Sequence, residues 1–391
     1  MPQPLHLLVG TTKGLFILDT DADRTQWRTR GPYCDGWPIN HAVGDQDTGT
    51  IWAGGGGDWH GAGVWRSEDL GATWTLTKLT TGQLDAWAAG DPDFAQAIGW
   101  DDTPPAFGDL FTQVWSLRRV GGRLYAGTKP ARLLVSDDEG RSWDAVKALT
   151  DHPDAAQWNP GAAGLTLHTI IADANDPDRI WVGISAAGVF ASEDGGATWQ
   201  ARNDLADPAG VGVDDHPAAP RDGQTGLCVH HLERASDGRL YQQNHHGVWR
   251  SDDDARTWTD ITTGLPSTFG FPVHVHPRDP DAIWTIPLNG DSAGRFPPDA
   301  AAAVWCSRDG GRTWTAQRTG LPQQACFFTV LRQSMTGDQQ DPAGIYFGSN
   351  TGSVFASPNE GSTWAEVARH LPTILSVEAF EPAASQWEQS R

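Results

Sequence analysis

The sequence predicts an all-β fold, a single seven-bladed β-propeller spanning residues 1–391. Three observations carry that expectation. An octet of the form S-x-D-x-G-x-T-W returns along the chain. Each copy follows two short β-rich segments. The chain opens on a strand whose inner neighbour is found only near its far end. A unit that recurs in this way cannot bury its apolar face alone and must stack on its copies.

The elements follow in order. LHLLVG at 5–10 is apolar and β-rich and matches the second strand of a unit; a worn octet with one extra residue follows at 19–27. Full octets stand at 67–74, 192–199 and 307–314, and copies departing by one residue at 136–143, 251–258 and 357–364. LYAG at 124–127 leads to LLV at 133–135, IWVG at 180–183 to GVF at 188–190, and IYFG at 345–348 to SVF at 353–355. Their alternation and punctuation predict strand–turn–strand. The octet is turn chemistry: the Asp accepts turn N–H groups, Gly allows positive φ, and Trp packs between sheets. ILSVEAF at 374–380 supplies the missing first strand, so residues 373–380 complete blade one and leave few open edges.

The octets resemble the Asp-box, or BNR, repeat of sialidases, sortilin-type receptors, xyloglucanases and the photosystem II stability/assembly factor. That resemblance implies a propeller blade, with the box at the turn between third and fourth strands and without a catalytic role. A narrower resemblance is to bacterial BNR-repeat proteins labelled glycosyl hydrolase or exo-alpha-sialidase. It rests on LLVGTTKGLF at 7–16, GLTLHTI at 164–170, CVH at 228–230, QNH at 243–245, LPSTFGF at 265–271 and SVE at 376–378. His246 and Leu227 stand where that subgroup is expected to carry Cys and His.

Composition narrows the function. The net charge of −21 disfavours nucleic acid and anionic membrane surfaces as partners. No run of about 18 apolar residues is present, so no transmembrane helix is expected. The opening MPQPLH lacks the pattern of a secretory signal. Cys34, Cys228, Cys306 and Cys326 are far apart, with no C-x-x-C. A cytoplasmic, reducing location is expected. No phosphate-binding glycine motif is present, so no nucleotide cofactor is expected; GGGG at 54–57 lacks a following helix.

In a propeller the links from first to second strand share a face with the octets, and here they are short. The opposite face carries long links at 77–111, 149–165, 203–226 and 287–303. Insertions gathered on one face build a binding surface. Aligned inner strands place His41, Trp115, His168, His230, Val273, Thr329 and Ser376 in one register near that face. His245 and Asn244 occupy a tight second-to-third turn on the same side.

Neutral imidazoles are common ligands of transition metals. His41, His168, His230 and His245 are therefore candidate ligands for one divalent transition metal with an open position. His168, His230 and His245 are the candidate catalytic groups. Asn244, Gln243, Gln113, Trp115, Arg295 and Glu378 are candidates for positioning substrate. A glycosidase needs two carboxylates, and Asp85, Asp91, Asp93, Asp101, Asp102, Asp109, Asp214, Asp215 and Asp291 are available in the long loops. Trp37, Trp59, Trp87, Trp100 and Trp158 could stack on sugar rings.

Sialidase activity is not expected. No R-I-P segment stands near the start, and three of the four tyrosines occupy one structural slot, leaving Tyr33. The expected function is a soluble hydrolase acting on a small polar molecule or glycan. The alternatives are a non-catalytic propeller that binds a protein or assembly partner, and a lectin-like sugar binder.

Overall fold

The computed structural model of the chain describes residues 5–161, 164–208, 216, 218–383 and 386. Asp214 and Asp215 lie outside the described residues. The chain is all-β apart from short helical segments, chiefly Gln83–Gly90 and Pro92–Ile98 in one long link. No helix among the described residues is long and apolar enough to cross a membrane.

The strands pair in antiparallel fours, with Asp204–Leu205 added in parallel to Thr257–Asp260 in one of them. Ile374–Phe380 lies beside His6–Thr11, followed by Gly14–Thr20 and Trp27–Tyr33. The units beginning at Ile39–Gly44 and Gln113–Val120 are joined by one bridge between Gly56 and Gln113. Later units begin at Thr166–Ala172, Val229–Arg234, Gly270–Val275 and Met335–Gly337. These first strands pack each on the next, and the last packs on Ile374–Phe380, closing an inner ring. Apolar clusters fill the wedges between neighbours. Leu8, Leu15 and Ile17 of one unit meet Ile39, Ala42 and Ile51 of the next.

The octets form compact turns. Ser67 Oγ donates to Asp69 Oδ1 at 2.8 Å, and the Thr73 N–H and hydroxyl donate to the same carboxylate at 2.8 and 2.6 Å. Trp74 Nε1–H closes the turn on the Gly71 carbonyl at 3.1 Å.

The inner strands carry β-bulges, and these correct the expected ring of side chains. Pairing shifts at Ile39/His41, Val114/Ser116, Leu167/Thr169 and Val229/His231. The extra residues are therefore Asn40, Trp115, His168 and His230. His41 sits one place further on, equivalent to Ser116, Thr169 and His231. Val273 and Ser376 are likewise the first residues paired beyond their bulges. A slip of one place turns a strand side chain to the other face. Thr329 precedes its strand altogether: the inner strand of that unit is Met335–Gly337, and Thr329 instead bonds Asn350 Oδ1 and the Arg295 carbonyl.

Two of the bulged side chains bind one unit to the next. Asn40 Nδ2–H donates to the Val114 carbonyl at 2.9 Å, and His230 Nδ1–H donates to the Gly270 carbonyl at 2.6 Å. A bulge thus re-aims a polar group that a regular strand would spend within its own sheet.

Candidate functional site

Two cavities lie on opposite sides of the ring. One of about 430 Å³ opens among the long links and is lined by residues that include Cys228, His230, His245, Phe269, Phe271, Asp291, Arg295 and Arg332. The other, of about 490 Å³, faces the octet side and is bordered by His41, His168, His231, Glu233, His274 and Glu378.

The first cavity is assembled from several units. Cys228 precedes the strand Val229–Arg234, and His230 is its bulged residue. The hairpin Asn244–Gly247 turns at His245, whose N–H donates to the Cys228 carbonyl at 3.0 Å. This bond sets His245 against Cys228. Donor atoms of Cys228, His230 and His245 all lie within 4.8 Å of one another, and Cys228 Sγ is 3.6 Å from His230 Nε2. A second such group, His216, His245 and His246, shares His245.

The protonation states of the two imidazoles suit ligation. His230 Nδ1 gives its proton to the Gly270 carbonyl, which leaves Nε2 with a lone pair toward Cys228. Burial, reinforced by Arg332, holds His230 neutral, well below the usual imidazole range. Burial, with His246 and His216 beside it, pushes His245 down to about 4. Burial pushes the Cys228 thiol up. Asp291 Oδ2 stands 3.6 Å from His245 Nε2 and 3.7 Å from His216 Nε2. Burial would raise its carboxyl, but the Ser292 N–H and the nearby histidines hold it below the ordinary value.

The structure separates the four candidate ligands. His41 borders the second cavity, where its Nε2 is 4.0 Å from Glu378 and its Nδ1 accepts from the Leu117 N–H. Burial, then His231 and Arg118, push it down to about 3. His168 is fully buried on the same side, with Nδ1 at 2.9 Å from Thr169 Oγ1. Neither belongs to the cluster of Cys228, His230 and His245.

The positioning candidates divide too. Gln243 is spent on structure: Nε2 donates to the carbonyls of Asn244, Gly247 and Thr268, and Oε1 accepts from Thr285. Asn244 is buried and donates to the Gly226 carbonyl. Gln113 and Trp115 line neither cavity, and Trp115 lies under the Lys129 ammonium. Arg295 lines the first cavity and Glu378 the second. Of the loop carboxylates, Asp85 is bound by Lys78, Trp100 and the Gly82 N–H, and Asp91 caps a helix. Asp93, Asp101, Asp102 and Asp109 are exposed and line neither cavity. Trp59 and Trp87 are exposed and meet edge to face at 5.8 Å.

The second cavity holds a pair that the sequence did not single out together. Burial pushes Glu378 up to about 7, with Arg118 opposing and Glu233 adding to the shift. Burial also works against Glu233, yet His231 and His274, at 3.5 and 3.7 Å, hold it down at about 2. Cys228 as a donor and Arg332 were missed as well. The signal for Cys228 was its position two residues before His230, which puts both on one side of an extended segment.

No family model matches the chain. A "Probable oligoxyloglucan-reducing end-specific xyloglucanase" of Neosartorya fischeri is 28% identical over 215 residues, covering 49% of this chain and 25% of its own. The match thus spans about a quarter of that relative's length. Among solved structures, the GH74 xyloglucanase from Xanthomonas campestris superposes with a TM-score of 0.61 at 19% identity, over 94% of this chain and 53% of its own. YCF48 from Cyanidioschyzon merolae gives 0.51 at 14% identity, over 85% of this chain and 86% of its own. These likenesses show the fold, a β-propeller.

Proposed function

We propose that the chain is a seven-bladed propeller hydrolase of the glycosidase-like kind, acting on a small polar molecule or glycan at the long-link cavity. The observation that carries this reading is the cluster of Cys228, His230 and His245 beside Asp291 in a concave, partly apolar site. Partial similarity to a xyloglucanase supports the reaction class.

The donor set fits a divalent transition metal. With metal–sulfur and metal–nitrogen bonds of about 2.3 and 2.05 Å, a tetrahedral edge measures about 3.6 Å. The Cys228–His230 separation of 3.6 Å equals that edge. A metal held there would polarise a bound water or substrate oxygen. Asp291, ionised and facing His245, would accept a proton from the attacking group. No tyrosine lines either cavity among the described residues, which supports a reaction other than that of a sialidase.

The test is elemental analysis of untagged protein before and after reconstitution with zinc, manganese, iron, copper or nickel, beside a His230→Ala/His245→Ala variant. One metal per chain, lost in the variant together with turnover of xyloglucan oligosaccharides or aryl glycosides, is the expected result. Absence of metal after reconstitution refutes the metal part, and turnover that survives the double variant refutes the site.

One observation favours a second reading. Glu378 and Glu233 face one cavity, and their carboxyls are pushed in opposite directions, Glu378 up to about 7 and Glu233 down to about 2. Such a split is how two carboxylates divide acid and base roles. A metal-free hydrolase working on the octet side would lose turnover in Glu378→Gln and keep it in the His230→Ala/His245→Ala variant.

A further inference from the structure

We propose that the long-link cavity selects an anionic ligand, whose carboxylate or phosphate is held between Arg295 and Arg332. This deepens the reading of the same site as a hydrolase by naming the charge class of its substrate. Its binding test does not depend on turnover.

Both arginines line the cavity that contains the Cys228 cluster. Arg332 Cζ stands 5.1 Å from the centre of the Phe271 ring and Arg295 Cζ 6.0 Å from the same centre. Arg295 also lies 5.7 Å from the Phe269 ring. The aromatic faces hold both planar forks in place by cation–π attraction. Among the described residues, neither guanidinium forms an ion pair within 4.0 Å, and Arg332 Nε is buried without a hydrogen-bond partner. Several buried or half-buried arginines elsewhere do meet carboxylates: Arg24 with Asp338, Arg239 with Asp281 and Arg179 with Asp254. Asp291, the one described carboxylate of this cavity, faces His245 and His216 instead.

Two neighbouring cations in a partly apolar hollow are costly without an anion. Burial and Arg295 together already pull the Arg332 guanidinium down to about 10. A carboxylate or phosphate supplies acceptors in the geometry that guanidinium forks match. It would dock on the Phe271 side, next to Cys228 and His230, so the rest of the ligand lies over the donor cluster.

The experiment is calorimetric titration of the full chain with glucuronate, glucose 1-phosphate and glucose, repeated on Arg295→Gln, Arg332→Gln and Arg332→Lys. At least one anion is expected to bind tenfold or more tightly than glucose. That advantage should fall at least tenfold in each Gln variant and return in part in Arg332→Lys. Glucuronate binding alone assigns a carboxylate, and glucose 1-phosphate binding alone assigns a phosphate. Circular dichroism and the melting temperature confirm that each variant is folded. Glucose binding as tightly as both anions, no saturable binding of either anion, or an anion preference that survives in both Gln variants overturns the proposal. Anion binding without hydrolysis of any glycan would remove the hydrolase reading and leave this one standing.

Discussion

Metal binding by this chain should release one proton at neutral pH. The proposed donors enter in different states. His230 is neutral because burial and Arg332 disfavour its charged form, and His245 is neutral because burial, His246 and His216 hold it at about 4. Neither has a proton to lose at pH 7. The Cys228 thiol is pushed above its ordinary value by burial, so it is protonated and must ionise to coordinate. Below the thiol pKa, the apparent affinity therefore rises tenfold per pH unit across roughly pH 6–8. The size of a single-donor loss follows from structural zinc sites, where about 10–16 kcal/mol is shared over four ligands. Roughly 3 kcal/mol per donor is about a hundredfold in dissociation constant. The assay is competition for zinc against a chromogenic chelator at pH 6, 7 and 8. Wild type should show one decade per pH unit. His245→Ala should bind about a hundredfold more weakly with the same slope. Cys228→Ala should be weaker and nearly flat. A wild-type slope of zero or of two decades refutes a donor set of one thiol and two neutral imidazoles.

Three further outcomes follow. Phe380 is buried at the closing strand, and its ring fills the space where a Cβ on Gly44 would sit. Phe380→Ala should destabilise the chain by about 3–5 kcal/mol in urea melts, and a loss under 1 kcal/mol would mean the strand is not needed for closure. Asp69→Ala removes three turn hydrogen bonds and should cost about 1–2 kcal/mol while leaving ligand binding unchanged; altered binding would give the octets a direct role. Glu378 has its folded pKa raised from 4.5 to about 7. As pH rises through that window the unfolded chain loses this proton first, so stability falls and then levels off above about pH 7. Glu378→Gln should reduce the drop in melting temperature between pH 5 and pH 8, and an unchanged profile would count against the raised carboxyl pKa.

The repeat chemistry made the fold legible, because the octet turns are local. Each one is closed by groups within eight residues, as Ser67, Asp69, Gly71, Thr73 and Trp74 show. The face bearing the chemistry was legible for a similar reason, since link lengths are written directly in the chain. The membership of the site was not. Alternation within a strand says which residues share a face but not where a bulge resets the count, so His41 was grouped with His168 and His230 when Asn40 holds that place. The remaining members come from different units. Cys228, Asp291 and Arg332 meet only because three successive units pack side by side, and no spacing along the chain encodes that meeting.

Gln243 and Arg332 show what separates a structural polar group from a functional one. Both lie near the ring and both carry donors that cannot remain idle when buried. The Gln243 amide has all its bonds within the protein, to the carbonyls of Asn244, Gly247 and Thr268 and to the Thr285 hydroxyl. Replacing it would loosen the hairpin that carries His245. Arg332 stacks on Phe271 with a buried Nε that has no acceptor. Arg332 lines the cavity, and the acceptor proposed for it is the anion of a ligand. Its nearness to Cys228, which raises the guanidinium pKa, puts that acceptor beside the proposed metal donors. The Gln243→Ala variant should therefore lose stability and ligand binding together. Arg332→Gln should lose anion binding and keep its melting temperature.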